Sequence, residues 1–442
     1  MMEKTFLSES EKNGTPKDLF FIWFAANMGI LGIVYGAVII GFGLSFLQSL
    51  LVAIIGPLSF LLVGYASIAG RDTGAVTFAL SRAAYGFKGN HLPAIVGWAG
   101  QVGWLSVNVS TGTLTLLALF STFGIDTNTL LILICLAIFA GLIILSSLFS
   151  HDTLVKAQTF FTYVFGALTL LVIAVLIPNT DWHTLFNMPS GHWITDFFPA
   201  LAFVIVGTGL TWTNAAADYS RFQRKDVKSS SIVLSVTFGA FIPLFIIITT
   251  GILLATSAPS LATTDNPIIL LSQLLPEWIT TIYLLVALGG LTPMCFIGLK
   301  SSRLIMGTFD LKIKENTIIV IHSLIILLIP IYVLVVSGDF LGYFQAFLGL
   351  LGIGLAAWVS IFVVDYTFIR KTIGYDERLL TDAQYNNVSV KGVLSWIVGV
   401  IVGLILVYAT ESSFDMVITF LISAGLYYIF NFKEISSIRK GV

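Results

Sequence analysis

The sequence predicts an all-α polytopic membrane protein with about twelve transmembrane helices, and three observations carry that reading. Of its 442 residues, 57% are hydrophobic and 10% charged, whereas a soluble globular domain is nearer a quarter charged. Apolar windows of about 20 residues, enough to cross a bilayer as a helix, recur along the whole length. With the N-terminus placed in the cytoplasm, every one of the 22 Lys and Arg falls at or beyond a cytoplasmic end of a window. That is the positive-inside pattern, and one missed span would scramble it.

Residues 1–18 are polar and lead straight into the first window. They read as a cytoplasmic tail, with no cleavable signal peptide visible. The spans then run near 19–43, 48–69, 92–120, 127–148, 156–178, 196–217, 231–256, 278–299, 316–337, 341–364, 392–410 and 413–432. Lys4, Lys12 and Lys17 occupy the tail. Arg71, Arg82 and Lys88 follow span 2, Lys156 opens span 5, and Arg221, Arg224, Lys225 and Lys228 follow span 6. Lys300, Arg303, Lys312 and Lys314 follow span 8, and Arg370, Lys371, Arg378 and Lys391 follow span 10. Residues 433–442 form a second cytoplasmic tail with Lys433, Arg439 and Lys440. The opposite loops hold acids, Trp182, His183, His192 and Trp193 but no Lys or Arg. The expected location is the plasma membrane, with both termini cytoplasmic and the lipid bilayer as surrounding partner.

The first ten spans divide into two units of five, 19–178 and 196–364, with 392–432 supplying two additional helices. Five spans per unit inverts the second unit relative to the first, a common transporter plan with a mid-membrane site and broken helices. Span 1 reads AANMGILGIVYGAVIIGFG, with Gly29, Gly32 and Gly36 beside a polar Asn27. Span 6 reads VIVGTGLTWTNAAADY, with Gly207 and Gly209 among Thr208, Thr211, Thr213 and Asn214. Glycine also serves plain close packing of membrane helices. The matched pair of Gly-interrupted, polar segments at corresponding positions points to unwinding.

Segment 70–91, GRDTGAVTFALSRAAYGFKGNH, joins spans 2 and 3. Ala75, Phe78 and Ala79 between basic flanks predict a short interfacial helix there. Span 3 carries GWAGQVGWLSVNVS at 97–110. Gln101, Trp104 and Asn108 are spaced i, i+3, i+7, so on a helix they share one face. Each amide carries a donor pair and an acceptor. A ring to stack on and amides to pair with are what a flat, hydrogen-bonding heterocycle needs. The structural alternative makes Trp104 a packing or anchor residue and the amides links between helices. Span 6 adds Trp212, six residues before Asp218. Span 8 contains LGGLTPMC, where Gly289, Gly290 and Pro293 should bend or loosen the helix. His322, the one imidazole inside a span, reads as structural or interfacial rather than as a proton relay.

Several function classes fall away. An intramembrane enzyme needs positioned acids, bases, nucleophiles or metal ligands. Lys, Arg, Asp and Glu are absent from the middle of every span, so neither an enzyme nor a cofactor or metal is expected. Cys135 and Cys295 lie in apolar stretches, which suggests no disulfide framework. The net charge of −1 gives no reason to expect nucleic acid, and no nucleotide-binding loop is present. A monomer with a small-molecule substrate suffices.

Four stretches resemble the purine/cytosine permeases of the nucleobase:cation symporter-1 family. RDTG and SRAAYGFKG within 71–89 are similar to its loop between spans 2 and 3. QVGW at 101–104, with Asn108 four residues on, is similar to its span 3. AADYSRF at 216–222 and DYTFIR at 365–370 are similar to the ends of its spans 6 and 10. The resemblance implies the leucine-transporter fold and alternating access to a nucleobase held between spans 1, 3, 6 and 8. It assigns the ring clamp to Trp104 and, aligned on the fungal type, Trp212. Aligned on the bacterial cytosine type, the second position falls nearer Gly209. Gln101 and Asn108 match base-pairing positions, Thr208 and Gly209 would offer hydroxyl and backbone, and Asn27 is the polar group of span 1. The family's Asn on span 8 is replaced by the stretch Gly289, Gly290, Leu291, Thr292. Which ring is carried therefore stays open between a nucleobase and a hydantoin, allantoin or vitamin-precursor ring.

A sodium site in this fold would draw carbonyls from Met28, Leu31 and Gly32 and hydroxyls from span 8. Residues 283–288 read YLLVAL, with no short hydroxyl. The expected coupling ion is H+, with Na+ as the alternative. Asp18, Asp218 and Asp365 are the nearest carboxylates, and their simpler reading is local pairing at the cytoplasmic face.

Overall fold

The structure, a computed structural model, describes residues 4–29, 31–264, 267–311, 313–410 and 414–441. Those residues are nearly all helical. Span 1 is divided into α1 (Pro16–Ala26) and α2 (Leu31–Gly41), and span 2 into α3 (Phe46–Leu58) and α4 (Phe60–Thr73). Then come α5 (Thr77–Tyr85), α6 (His91–Thr122), α7 (Thr129–Leu145), α8 (His151–Leu176) and a short α9 (Trp182–Phe186). Span 6 includes α10 (Phe198–Ile205) and α11 (Ala216–Ser220). It is followed by α12 (Ser229–Ala255), α13 (Pro267–Gln273), α14 (Glu277–Met306), α15 (Glu315–Ile331) and α16 (Phe340–Asp365). Two short pieces, α17 (Lys371–Ile373) and α18 (Glu377–Thr381), lead to α19 (Val390–Thr410), α20 (Asp415–Phe430) and α21 (Phe432–Gly441). Ten helices are long and apolar enough to cross a membrane, eleven if α20 and α21, bent by 65°, count as one. The halves of span 1 are each too short to qualify, which accounts for the difference from twelve.

Both expected breaks are present. Helix α1 starts with Pro16 after a capping box, in which the Thr15 N–H and hydroxyl donate to Asp18 Oδ2 at 2.7 and 2.9 Å. It stops at Asn27, whose Nδ2 donates back to the Trp23 carbonyl at 2.8 Å. In span 6, Thr208 leaves helical geometry at φ −123°, ψ −108°. Freed backbone groups inside a bilayer need new partners, and neighbouring side chains supply them. Tyr35 of α2 donates to the Gly207 carbonyl (3.3 Å), Thr213 to the Gly209 carbonyl (2.9 Å), and the Gly209 N–H donates to Ser59 Oγ (3.0 Å). Spans 1 and 2 thus help to satisfy the break in span 6.

One element differs from expectation. The segment forecast as an interfacial helix, α5, is buried along its whole length. Phe78 stacks on Trp358 at 4.8 Å, and the Trp358 indole donates to Ser81 Oγ at 2.9 Å. Arg82 donates to the Leu380 and Thr308 carbonyls, both at 2.6 Å. Its small alanines let neighbouring helices close over it, so the amphipathic pattern faces protein on both sides. Burial holds the Arg82 guanidinium pKa down, to about 10. In span 8, α14 is one continuous helix through Gly289, Gly290 and Pro293. The glycines serve close approach: a Cβ at Gly289 would strike the Phe165 ring, and one at Gly290 would lie 2.9 Å from the Met28 carbonyl oxygen.

The N-terminal tail is strapped across the face that carries the basic residues. Leu7 N–H donates to the Gly74 carbonyl (3.0 Å), Val76 N–H to the Thr5 carbonyl (3.2 Å), and Gly14 N–H to the Phe222 carbonyl (2.8 Å). Arg221 donates to the Lys4 carbonyl. The Lys12 ammonium is buried and donates to the Arg71 carbonyl (2.8 Å) and Glu9 (2.7 Å). The tail therefore ties the end of span 2 to the end of span 6. His322 is fully buried, with its Nε2 accepting from the Trp98 indole (3.0 Å) and its Nδ1 against the Ile318 carbonyl (2.8 Å). That pattern assigns the proton to Nδ1 and gives the ring a structural job.

Candidate substrate site

Helix α6 presents Gln101, Trp104 and Asn108 on one face, 2%, 6% and 1% exposed. That face packs along α14, where Met294 and Gly298 lie nearest the two amides. The orientation of each amide follows from its neighbours. The Gly97 carbonyl can only accept, so Asn214 must turn its Nδ2 toward it, at 3.3 Å. Asn214 Oδ1 then faces Gln101, which donates through Nε2. Asn108 Nδ2 likewise donates to the Trp104 carbonyl at 2.8 Å and lies 3.0 Å from Met294 Sδ. Asn108 Nδ2 is thereby spent inside the protein, and Gln101 Nε2 gives one of its two N–H groups to Asn214. Gln101 Oε1, Asn108 Oδ1 and Trp104 Nε1 are buried without a hydrogen-bond partner. A buried polar atom without a partner is costly, and these three share one helix face.

Two aromatics on α16 frame this place. Phe344 and Phe347 each stand edge-on to Trp104 at 5.8 Å. A phenylalanine in an apolar span carries no local signal, so the sequence pattern could not single them out. Asn214 belongs here too, as the group that turns Gln101.

The other expected site residues fall into separate groups. Trp212, 4% exposed, stands edge-on to Trp23 of α1 at 5.5 Å. The Thr208 hydroxyl donates to the Val204 carbonyl at 2.6 Å and lies 3.2 Å from Ser59 Oγ. The Gly209 backbone also turns to Ser59, so this pair is engaged with span 2. Asn27 caps α1. Met28 meets Gly290, while Gly32 faces Ile247 of α12, 2.7 Å from where its Cβ would sit. The Leu31 side chain lies outside the described residues. Asp218 accepts from the Thr77 N–H and hydroxyl, both at 3.0 Å, and Asp365 from Arg370 (3.3 Å) and Tyr427 (2.9 Å). Asp365 is thus ion-paired with Arg370, whereas Asp218 is held by Thr77 and, among the described residues, not by an Arg or Lys. No group of three or more His, Cys, Asp or Glu that could hold a metal occurs among the described residues.

Two spans broken in matching places and unpaired buried polar atoms on one helix face fit a membrane transporter of the permease class. The chain belongs to the permease family for cytosine/purines, uracil, thiamine and allantoin, whose model matches residues 7–429. It is similar to the putative purine-cytosine permease YxlA of Bacillus subtilis (strain 168), 24% identical over 374 residues, 83% of this chain and 78% of that one. It is also similar to the purine-cytosine permease FCY2 of Saccharomyces cerevisiae, 27% identical over 253 residues, 56% of this chain and 45% of that one. Among solved structures it superposes on Mhp1, a nucleobase-cation-symport-1 family transporter, closed with bromovinylhydantoin bound. There the TM-score is 0.79 at 15% identity, over 98% of this chain and 95% of that one. The fold is therefore of the leucine-transporter type.

Proposed function

We propose that the protein imports a nucleobase or a close heterocyclic relative by alternating access, reading the ring's edge with Gln101 and Asn108 and its face with Trp104. One observation carries this. Both amide oxygens are buried without a partner, while Asn108 Nδ2 is taken by the Trp104 carbonyl and Met294 and Gln101 Nε2 gives one of its two N–H groups to Asn214. Acceptors on the protein require N–H groups on the substrate. Buried acceptors left unpaired also discriminate strongly against analogues that lack the donor. The test is competition against uptake of a labelled base, using cytosine, adenine, hypoxanthine, uracil and hydantoin with their N-methylated counterparts. The parent rings with N–H edges compete, and methylation of the contacting nitrogen abolishes competition. Equal competition by the methylated set would sink the acceptor reading. A preference for hydantoins over bases would favour the alternative ring, which the lack of a side-chain amide at Gly289 and Gly290 leaves room for.

The two five-helix units, 19–178 and 196–364, are read as inverted repeats, which the matched breaks support. The basic face is read as cytoplasmic and the membrane as the plasma membrane. Single cysteines at Thr180 or Ser260 will react with an impermeant reagent from outside, and those at Ser229 or Thr381 will not. The reverse pattern would overturn this orientation.

Proton coupling is favoured over sodium. The Met28 carbonyl faces Gly290, which has no side chain to offer an ion, and residues 283–288 of span 8 carry no short hydroxyl. In proteoliposomes a pH gradient will drive accumulation. Accumulation on an inward sodium gradient at equal pH and clamped potential would refute the proton reading.

A further inference from the structure

An open apolar groove of about 510 Å³ runs between α1, α8 and α12. Phe21 and Phe24 form one wall, Tyr163 and Gly166 a second, and Pro243 and Ile246 a third; its inner end reaches Met28 at the break in span 1. Close helix contacts bound it at both ends. A Cβ on Gly239 of α12 would lie 2.7 Å from the Phe20 carbonyl oxygen, and one on Gly32 would lie 2.7 Å from Ile247. Gly166 is unlike those two. A Cβ there would sit 3.5 Å from Met28 Sδ and 3.7 Å from Phe24, ordinary contact distances. Helix packing does not require a bare backbone at 166; its absent side chain leaves the groove deep.

We propose that this groove is a binding site for one acyl chain of a membrane phospholipid, inserted between the spans as far as Met28. The groove opens outward between three spans, so hydrocarbon is the medium at its mouth, and the occupant is continuous with the bilayer around it. Its lining is almost wholly apolar, and the Thr162 hydroxyl is turned to the Phe21 carbonyl at 3.4 Å. From Phe20 to Met28 is about 12 Å of helix, room for a substantial part of a chain. The mouth carries the marks of headgroup level. Lys17 Nζ lies 5.6 Å from the Phe21 ring centre, and exposed Tyr163 lies 5.3 Å from the same ring. Lys and Tyr gather at that depth because each pairs an apolar stem with a polar tip. A chain seated there braces α1 from behind, at the point where Met28 turns its carbonyl to α14.

The full-length protein in nanodiscs, with a phospholipid carrying a diazirine midway along one chain, tests this. On illumination, adducts will concentrate on peptides covering 20–28 and 162–170. Gly166→Phe will lower that yield several-fold, and Gly166→Leu, a smaller filler, will lower it less. Gly141→Phe on α7, where an added Cβ meets nothing within 4 Å, will leave it unchanged. Native mass spectrometry after mild delipidation will show one fewer retained phospholipid for Gly166→Phe than for Gly141→Phe. Adducts spread evenly over all spans in the unsubstituted protein would overturn the proposal, whether or not the variants fold. So would a local yield that Gly166→Phe and Gly166→Leu leave unaltered.

Discussion

Replacing Trp104 with alanine will weaken substrate binding by roughly 5- to 150-fold, corresponding to the about 1–3 kcal/mol that base stacking on an aromatic contributes. The indole stands at a steep angle to the rings of Phe344 and Phe347, 5.8 Å from each. Trp104→Phe will retain part of the affinity, because a smaller ring still stacks but loses the Nε1 donor. Asn108→Ala will change the rank order among bases more than it changes affinity for the best one, since each base edge has its own pattern of N–H groups. Trp104 is also buried, and truncating a large aromatic costs about 3–5 kcal/mol of stability. Affinity must therefore be read on the folded fraction, by calorimetry or by binding of labelled base to monodisperse protein. Unchanged affinity in folded Trp104→Ala would make Trp104 a packing residue only.

The second large effect lies in the scaffold. Helices α2 and α12 cross where two glycines face each other. A Cβ at Gly36 would overlap the Ile248 carbonyl oxygen and lie 2.5 Å from the Ile252 nitrogen, and a Cβ at Gly251 would overlap the Ile33 carbonyl oxygen. Both obstructions are backbone, which cannot rotate away as a side chain can. Gly251→Leu will exceed the about 1–3 kcal/mol usual for overpacking and remove most monodisperse protein on extraction. Gly425→Leu, where nothing stands within 4 Å, will extract normally. Equal yields from the two variants would show that this crossing does not hold span 1.

The face formed by Gln101, Trp104 and Asn108 was legible because helical period alone decides it, and an apolar background leaves few polar residues to choose among. The two breaks were legible for a related reason, since glycines and hydroxyls at mid-depth are conspicuous in hydrocarbon. What happens at a break was not. Once Thr208 leaves helical dihedrals, periodicity no longer says where its hydroxyl points, and it points to span 2. The role of α5 was hidden because an amphipathic pattern with basic flanks is the same whether its apolar side meets lipid or protein. Phe344, Phe347 and the turning of Gln101 by Asn214 depend on which helices meet, and no local pattern encodes that.

The strap made by the N-terminal tail has a consequence for biosynthesis. Lys4, Leu7 and Gly14 leave the ribosome before any of the spans, yet the Arg221 and Phe222 groups that fix two of them are translated more than two hundred residues later. Until then the described tail residues have partners at Arg71, Gly74 and Val76 and wait half-attached while four further spans are inserted. Contacts so distant along the chain form late because the intervening loop must be closed first. Residues made before the first span are thus among the last to be seated, and the strap closes over a bundle that is already assembled through its sixth span.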